Sequence, residues 1–464
     1  MLSPGFLELA KRLIAARTVS AQGTREAADL LASLWEHAGL RVRRQVADQI
    51  HVNLLGGPGG EASGPGGVLL VTHLDTVPPG PLEKWNGDPW TLREKDGHLF
   101  GLGVADVKLD ALCKAEAARR LQGRKARRPF WLLGTYGEEV GLRGARHFAA
   151  SDLFAEVAPA QVLCGEPSEL RIVHAHKGYV VIRCTLRDRK ARLVDTGGPG
   201  VEQLHFAGKA AHSSTPHLGD NAIAKALAWV KSSGSPVVAA RGGTGTNVVP
   251  ASCTLEVPAP REKGEPQPAE VRFLPPRPPS PNLWRALATA SALEELWQEV
   301  LPGGADDRFD PAGAVGGLNV LEGADAAVSI QLDARLLPQH DGDALIEAFT
   351  RAAKSWIDRL GQGELEFVAQ VERNASGMAL SPEAPLVKSV GKVLAAAGLD
   401  PSPQAKPTST EAGVFARKGC EAIVFGPGRS TGNAHTPNER IEMAQLEKAC
   451  DLYESLLVEL CACT

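Results

Sequence analysis

Short apolar runs alternating with helix-like stretches constrain this chain most. Val68 to Thr72, Phe130 to Gly134, Gln161 to Cys164 and Glu421 to Phe425 are too short for helices and rich in Val, Leu and Ile. Asp110 to Leu121, Leu142 to Ala150, Pro385 to Ala397 and Met443 to Cys461 read as helices around them. Such alternation predicts an α/β domain of parallel strands joined by crossover helices. Pro385 suits the first position of its helix, where no backbone N–H is needed. Two helices come first, one starting near Ser3-Pro4 and one from Glu26 to His37, and a strand comes next around His51 to Leu55. The Gly/Pro tract from Gly56 to Gly67 reads as a loop.

Between about Lys177 and Ser376 the texture changes. Tyr179 to Arg187, Glu202 to Ala207, Ser252 to Val257 and Ala326 to Leu332 read as strands, and Asn221 to Ser232 and Asp343 to Leu360 as helices. Long strands with only two helices predict a smaller α+β domain, residues 177–376, inserted into an α/β domain made of 1–176 and 377–464. Pro258 to Pro281 holds nine prolines, which predicts an irregular or polyproline excursion without ladder or helix.

The charge balance excludes whole classes of partner. A net charge of -4 rules out a chain-wide basic surface, so no nucleic-acid partner is expected. No run of 18 apolar residues occurs, so no membrane span is expected. Eight cysteines are scattered with no C-x-x-C pair, which reads as reduced thiols in a cytoplasmic protein. The N-terminus reads as an amphipathic helix and not as a signal peptide.

The residues just past each apolar run carry the chemistry. The first run leads into His73-Leu74-Asp75, and Phe100 to Val104 leads to Asp106-Val107-Lys108. The next runs lead to Glu138-Glu139, to Glu166 and, through a Gly-rich turn, to His435. In open parallel sheets, ligands bind outside the carboxyl ends of the strands, so these five segments would converge. Two imidazoles and three carboxylates suit Zn²⁺ without thiolates, and one bridging carboxylate would let them hold two ions. The adjacent pair Glu138-Glu139 offers one ligand and one carboxylate free to carry protons.

These segments resemble the ordered motifs of the M20 metallopeptidases. The resemblance rests on His73-Leu-Asp75, Gly101-Leu-Gly-Val-Ala-Asp106-Val-Lys108, Gly137-Glu-Glu-Val-Gly141, Gly165-Glu-Pro167 and His435-Thr-Pro-Asn-Glu439, and spans about His51 to Ile441. The family includes acetylornithine deacetylases, succinyl-diaminopimelate desuccinylases, aminoacylases and carboxypeptidases. It implies a zinc-exopeptidase-like mixed sheet with flanking helices, plus an inserted ferredoxin-like lid and dimerisation domain. It also implies two Zn²⁺ per subunit, with Co²⁺ or Mn²⁺ as substitutes. The first metal would be bound by His73, Asp106 and Glu166, and the second by Asp106, Glu139 and His435, with Asp106 bridging. Glu138 would be the general base, and Asp75 would hold the His73 imidazole in its ligating tautomer.

In the inserted domain, Gly208-Lys-Ala-Ala-His212-Ser213 resembles the family's lid motif, whose His stabilises the oxyanion, often from the partner subunit of a homodimer. Asn247 and Arg335 resemble the substrate-binding Asn and Arg, an Arg fork being suited to a carboxylate. Thr410 and Gly426 stand where the family's substrate loops lie. Leu102 replaces a common Arg, and Leu109 a common Gly. Gly316-Gly-Leu-Asn319 offers a second asparagine, but Asn247 is preferred for the Val-Val-Pro directly after it.

The expected function is zinc-dependent cleavage of the amide bond of N-acyl amino acids, with a dipeptidase or carboxypeptidase of the same family as the alternative. A non-enzymatic metal-dependent binding protein would have lost Glu138 or a ligand, and all are present. Gly428-Arg-Ser430-Thr-Gly432 matches the serine-hydrolase elbow, but Asn433-Ala-His435-Thr-Pro437 stands where a helix is required.

Overall fold

Four of the apolar runs become the parallel centre of a nine-stranded sheet. In spatial order they are Phe130–Thr135, Val68–His73, Gln161–Gly165 and Glu421–Val424. Every residue of Val68–His73 is buried, as expected for a central strand covered on both faces. Its side chains alternate between two cores. Val68 and Leu70 join Leu132, Leu163 and Ile423 under the helices Pro4–Ala15, Arg25–His37, Lys108–Arg120, Pro385–Ala396 and Met443–Cys461. Leu69 and Val71 join Leu133, Val162 and Val424 against Phe148 and Phe415 on the opposite face.

The computed structural model describes residues 2–58, 66–197, 200–259, 268–360 and 363–463. The chain divides into two units, Met1–His176 with Met378–Thr464, and Lys177–Gly377. Helix starts obey local chemistry. Ser3 caps the first helix by accepting the Phe6 N–H at 3.1 Å, and Pro4 and Pro385 occupy first-turn positions.

The sheet is mixed and not wholly parallel. Arg41–Val46 and Val52–Gly57 add antiparallel strands at one edge. At the other, Val173–His176 runs antiparallel to Glu421–Val424 and pairs with the short strands Met378–Ala379 and Gln404–Lys406. The tract beginning at Gly56 is therefore not all loop. Gly56 and Gly57 end a strand, and a Cβ there would lie 2.7 Å from Trp35 and 2.2 Å from Trp131. They are glycines because indole rings pack against the backbone. Residues 59–65 of that tract lie outside the described residues.

The second unit holds an eight-stranded antiparallel sheet in the order Glu270–Leu274, Val201–Ala207, Ser252–Pro258, Ala239–Gly242, Val315–Ala324, Ala327–Leu336, Gly178–Asp188 and Leu365–Ala375. Three long helices, Ala222–Ser233, Trp284–Val300 and Gly342–Leu360, supply the other half of its core, where Trp297 and Phe349 meet edge to face at 5.0 Å. The third helix corrects the expectation of two.

The Pro-rich segment also departs from expectation, because Glu270–Leu274 pairs with Val201–Ala207. Pro268 and Pro275 bracket a proline-free window, and an edge strand needs donors on one side only. Residues 260–267 lie outside the described residues. Among the described residues no helix is long and apolar enough to cross a membrane. All eight cysteines are free, and seven of them are buried.

Candidate metal centre

His73 ends its strand with the ring 1% exposed. Its Nδ1 lies 3.0 Å from the Asp75 carbonyl oxygen, which leaves Nε2 facing Asp106 Oδ1 at 3.1 Å. His435 reaches the same carboxylate from the turn after Glu421–Val424. Its Nε2 lies 3.2 Å from Asp106 Oδ2 and 2.9 Å from Glu139 Oε1. One carboxylate thus has each oxygen facing a different imidazole. His73, Asp106 and Glu166 place ligand atoms within 4.8 Å of one another, and so do Asp106, Glu139 and His435. A third such group joins His73 and Glu139 to Glu138, which puts Glu138 beside both sets.

The electrostatics match a site short of positive charge. Burial pushes the Glu166 carboxyl up to about 8, and the neighbouring Asp106 charge adds to this. Burial would also raise Asp106, but hydrogen bonds from His435 and His73 hold it well below the usual carboxylate range. Burial opposes charge on His435, yet Glu139 and Asp106 keep its imidazole cationic up to about 12. Oxygen and imidazole donors that converge on a single carboxylate fit two borderline cations such as Zn²⁺.

Asp75 departs from the expected geometry. Its carboxylate lies 3.8 Å from His73 Nδ1, and the ring is oriented by the Asp75 backbone carbonyl instead. The carboxylate accepts the Ser20 hydroxyl at 2.7 Å and the Glu138 and Glu139 N–H groups at 3.0 and 3.3 Å. Fully buried, it anchors the turn that carries both glutamates. The Asp106 segment also differs from a sheet strand. His98–Phe100 pairs in a separate small sheet with Arg93–Lys95 and Arg440–Glu442, and turns lead from there to Asp106.

Thr410 is buried, with Oγ1 3.1 Å from His176 Nε2, and it accepts the Ala412 N–H. Gly426 exchanges hydrogen bonds with Ser168, and a Cβ on it would lie 2.7 Å from the Glu166 carbonyl oxygen. Its smallness lets the Glu166 loop pass. Leu109 packs in the main core and Leu102 is buried. After Ser430 the chain continues in turns to the strand Arg440–Glu442, so no helix completes a serine-nucleophile elbow. The motifs assign no role to Glu439, Glu411 or Lys406, yet all three lie close to the ligands. Glu411 accepts the Thr135 hydroxyl, and burial lifts its carboxyl to about 7. Lys406 donates to the Pro167 carbonyl, one residue past Glu166.

In the second unit, Arg335 is 3% exposed and its guanidinium stacks 3.5 Å over the Tyr179 ring. Its Nη2 donates to Ser213 Oγ at 3.1 Å, while Nε has no hydrogen-bond partner. Neighbouring His212 accepts the Ser214 N–H at Nδ1, 3.1 Å away, which places the neutral ring's proton on Nε2. Part of the ring is exposed, but desolvation on its protein side and the Arg335 charge lower its pKa to about 4. Asn247 is exposed and its carbonyl accepts the Ser213 N–H. Asn319 is buried and spends its amide on the Thr246 carbonyl at 2.8 Å.

The sequence profile of Peptidase family M20/M25/M40 matches residues 69–459. An acetylornithine deacetylase of Yersinia pseudotuberculosis is 35% identical over 233 residues, covering 48% of this chain and 54% of that protein. The chain therefore spans about half the length of the curated relatives it matches. Aminoacylhistidine dipeptidase from Vibrio alginolyticus superimposes with a TM-score of 0.67 at 16% identity, covering 99% of this chain and 97% of the other. A Bacillus subtilis protein described as a dinuclear metal-binding peptidase of the M20 family does so at 0.52 and 11% identity, covering 99% of each chain. These likenesses share the fold described above, and the profile covers most of the chain. The chain belongs to peptidase family M20/M25/M40.

Proposed function

We propose that this chain is a two-zinc amidohydrolase that removes the acyl group from N-acyl amino acids. The observation that carries the reading is Asp106, whose two oxygens face His73 at 3.1 Å and His435 at 3.2 Å. His73, Asp106 and Glu166 would hold one ion, and Asp106, Glu139 and His435 the other. When bound, such ions acidify water towards neutrality and polarise the substrate carbonyl.

The chain's own groups do the rest. Glu138, 5% exposed and held by the Asp75 carboxylate through its N–H, takes the proton of the attacking water and returns it to the leaving amine. His212 donates its Nε2 proton to the developing oxyanion, and its lowered pKa keeps the ring a neutral donor with a fixed tautomer. Arg335 offers a desolvated fork to the substrate carboxylate. Asn247, exposed where Asn319 is spent internally, supplies a further polar contact. Thr410 and Gly426 shape the edge beside Glu166. We place the protein in the cytoplasm, where eight free thiols stay reduced, as a homodimer through the lid.

The lean to deacylation rests on the acetylornithine deacetylase relatives. Zinc-loaded protein assayed against N-acetyl amino acids, N-succinyl amino acids and dipeptides tests it. The highest kcat/KM should fall on an acyl substrate. Preferential turnover of dipeptides would move the assignment to dipeptidase, and no turnover of any class would overturn it. Mixing His212→Ala with Glu138→Gln subunits tests the dimer: restored activity is expected, and none would contradict His212 acting from the partner.

A further inference from the structure

The loop that carries Asp106, Gly101-Leu-Gly-Val-Ala-Asp106, contains two glycines and so has little stiffness of its own. Yet Asp106 must present one oxygen to each of two imidazoles. Besides backbone bonds such as Leu102 N–H to the Pro89 carbonyl at 2.8 Å, one residue ties this loop down at four points. Glu439 is 1% exposed, and its Oε2 accepts the Gly103 N–H at 3.1 Å. Its Oε1 accepts the N–H groups of Ala105 at 2.8 Å and Asp106 at 3.0 Å. The Glu439 carbonyl accepts a fourth, from Gly101, at 3.1 Å.

Glu439 also lies four residues after His435, in the same turn-rich segment. A buried carboxylate is costly unless its lone pairs are met, and charge-assisted bonds to backbone N–H groups are among the stronger ones. The Lys108 ammonium, also buried, does not take up this carboxylate with a hydrogen bond but donates to the Ala16 carbonyl at 2.9 Å. We propose that Glu439 is a positioning residue that locks the Asp106 loop to the His435 segment and so sets the affinity of both metal positions. It touches neither ion nor substrate. The inference rests on the two-metal reading but not on any choice of substrate.

Glu439→Gln tests it, because the carboxamide puts an NH₂ against one of the three N–H groups and removes the charge. Metal-free wild type and variant are first compared by thermal melting. Co²⁺ affinity is then measured by chelator competition, and the cobalt visible spectrum is recorded. The expected result is a cooperative metal-free melt in both proteins, a ~10- to 100-fold weaker Co²⁺ affinity in the variant and a shifted spectrum. At saturating metal, kcat should fall with KM little changed. Unchanged affinity and spectrum would overturn the positioning role. If the variant does not fold, hydrogen exchange in metal-free wild type decides. The amides of Gly103, Ala105 and Asp106 should be protected, and free exchange at all three would overturn the proposal. Wild type that binds no Co²⁺ would instead sink the two-metal reading itself.

Discussion

The two units present opposite electrostatic problems. In the sheet unit, Asp106, Glu139 and Glu166 gather around two imidazoles, with the buried carboxylates of Asp75 and Glu439 behind them. In the other unit a buried guanidinium is only partly satisfied. Arg335 is buried, its Nε lacks an acceptor, and the nearest carboxylate oxygen of Asp333 stands 3.8 Å away. Burial pushes Asp333 itself up to about 6, partly offset by the Arg335 charge. The first site gathers carboxylates, whereas the second holds a buried guanidinium whose carboxylate neighbour stands beyond hydrogen-bond reach. On the proposed reading, the metal centre would do the chemistry and Arg335 would recognise the substrate carboxylate.

The contrast can be broken at several points. Chelation should remove all hydrolysis and added zinc should restore it. Activity that persists in metal-free protein, checked by metal analysis, would end the first half of the comparison. Glu138→Gln should keep its metal but lose about 10²- to 10⁴-fold in kcat. Near-normal turnover with full metal content would remove Glu138 as the base.

The second half answers to Arg335→Ala. Losing a hydrogen-bonding charged partner costs about 1.5–3 kcal/mol, so kcat/KM for carboxylate substrates should fall roughly 10- to 100-fold. Substrates with an amidated carboxylate should be hydrolysed equally by both proteins. An equal loss on both substrates would contradict carboxylate recognition.

The smallest effect is a titration. His212 should protonate near pH 4 by NMR, and Arg335→Gln should raise the midpoint by removing one of the two causes of the shift. The folded pKa lies below the unfolded value of about 6.5. The unfolded chain therefore binds the proton first, and this contribution to stability is lost as pH falls from about 6.5 towards 4. A midpoint at the ordinary histidine value would remove the neutral-donor argument.

The convergence of the candidate ligands is legible in the sequence because each comes directly after an apolar run or a glycine-rich turn, and parallel strands deliver their ends to one edge. The elements that escaped did so for physical reasons. Arg41–Val46 is a charged edge strand with no buried stripe to betray it. Trp284–Val300 hides behind the Pro-rich segment, its buried face mixing alanine, serine and threonine with Leu287, Leu293 and Trp297. Val315–Ala324 contains two adjacent glycines and a register shift. The family resemblance ties Asp75 to the His73 ring, but its carboxylate serves amides 63 and 64 residues away. Glu439 closes the His435-Thr-Pro-Asn-Glu439 motif, but its role is not legible there, because its partners are backbone N–H groups.

The central claim is that one carboxylate, Asp106, is shared between two ions. Metal content per chain, measured by mass spectrometry after zinc loading and desalting, tests it directly in wild type and Asp106→Ala. Two equivalents in wild type and none above background in the variant are predicted. A single equivalent in wild type, or two retained by a folded Asp106→Ala, would contradict the account.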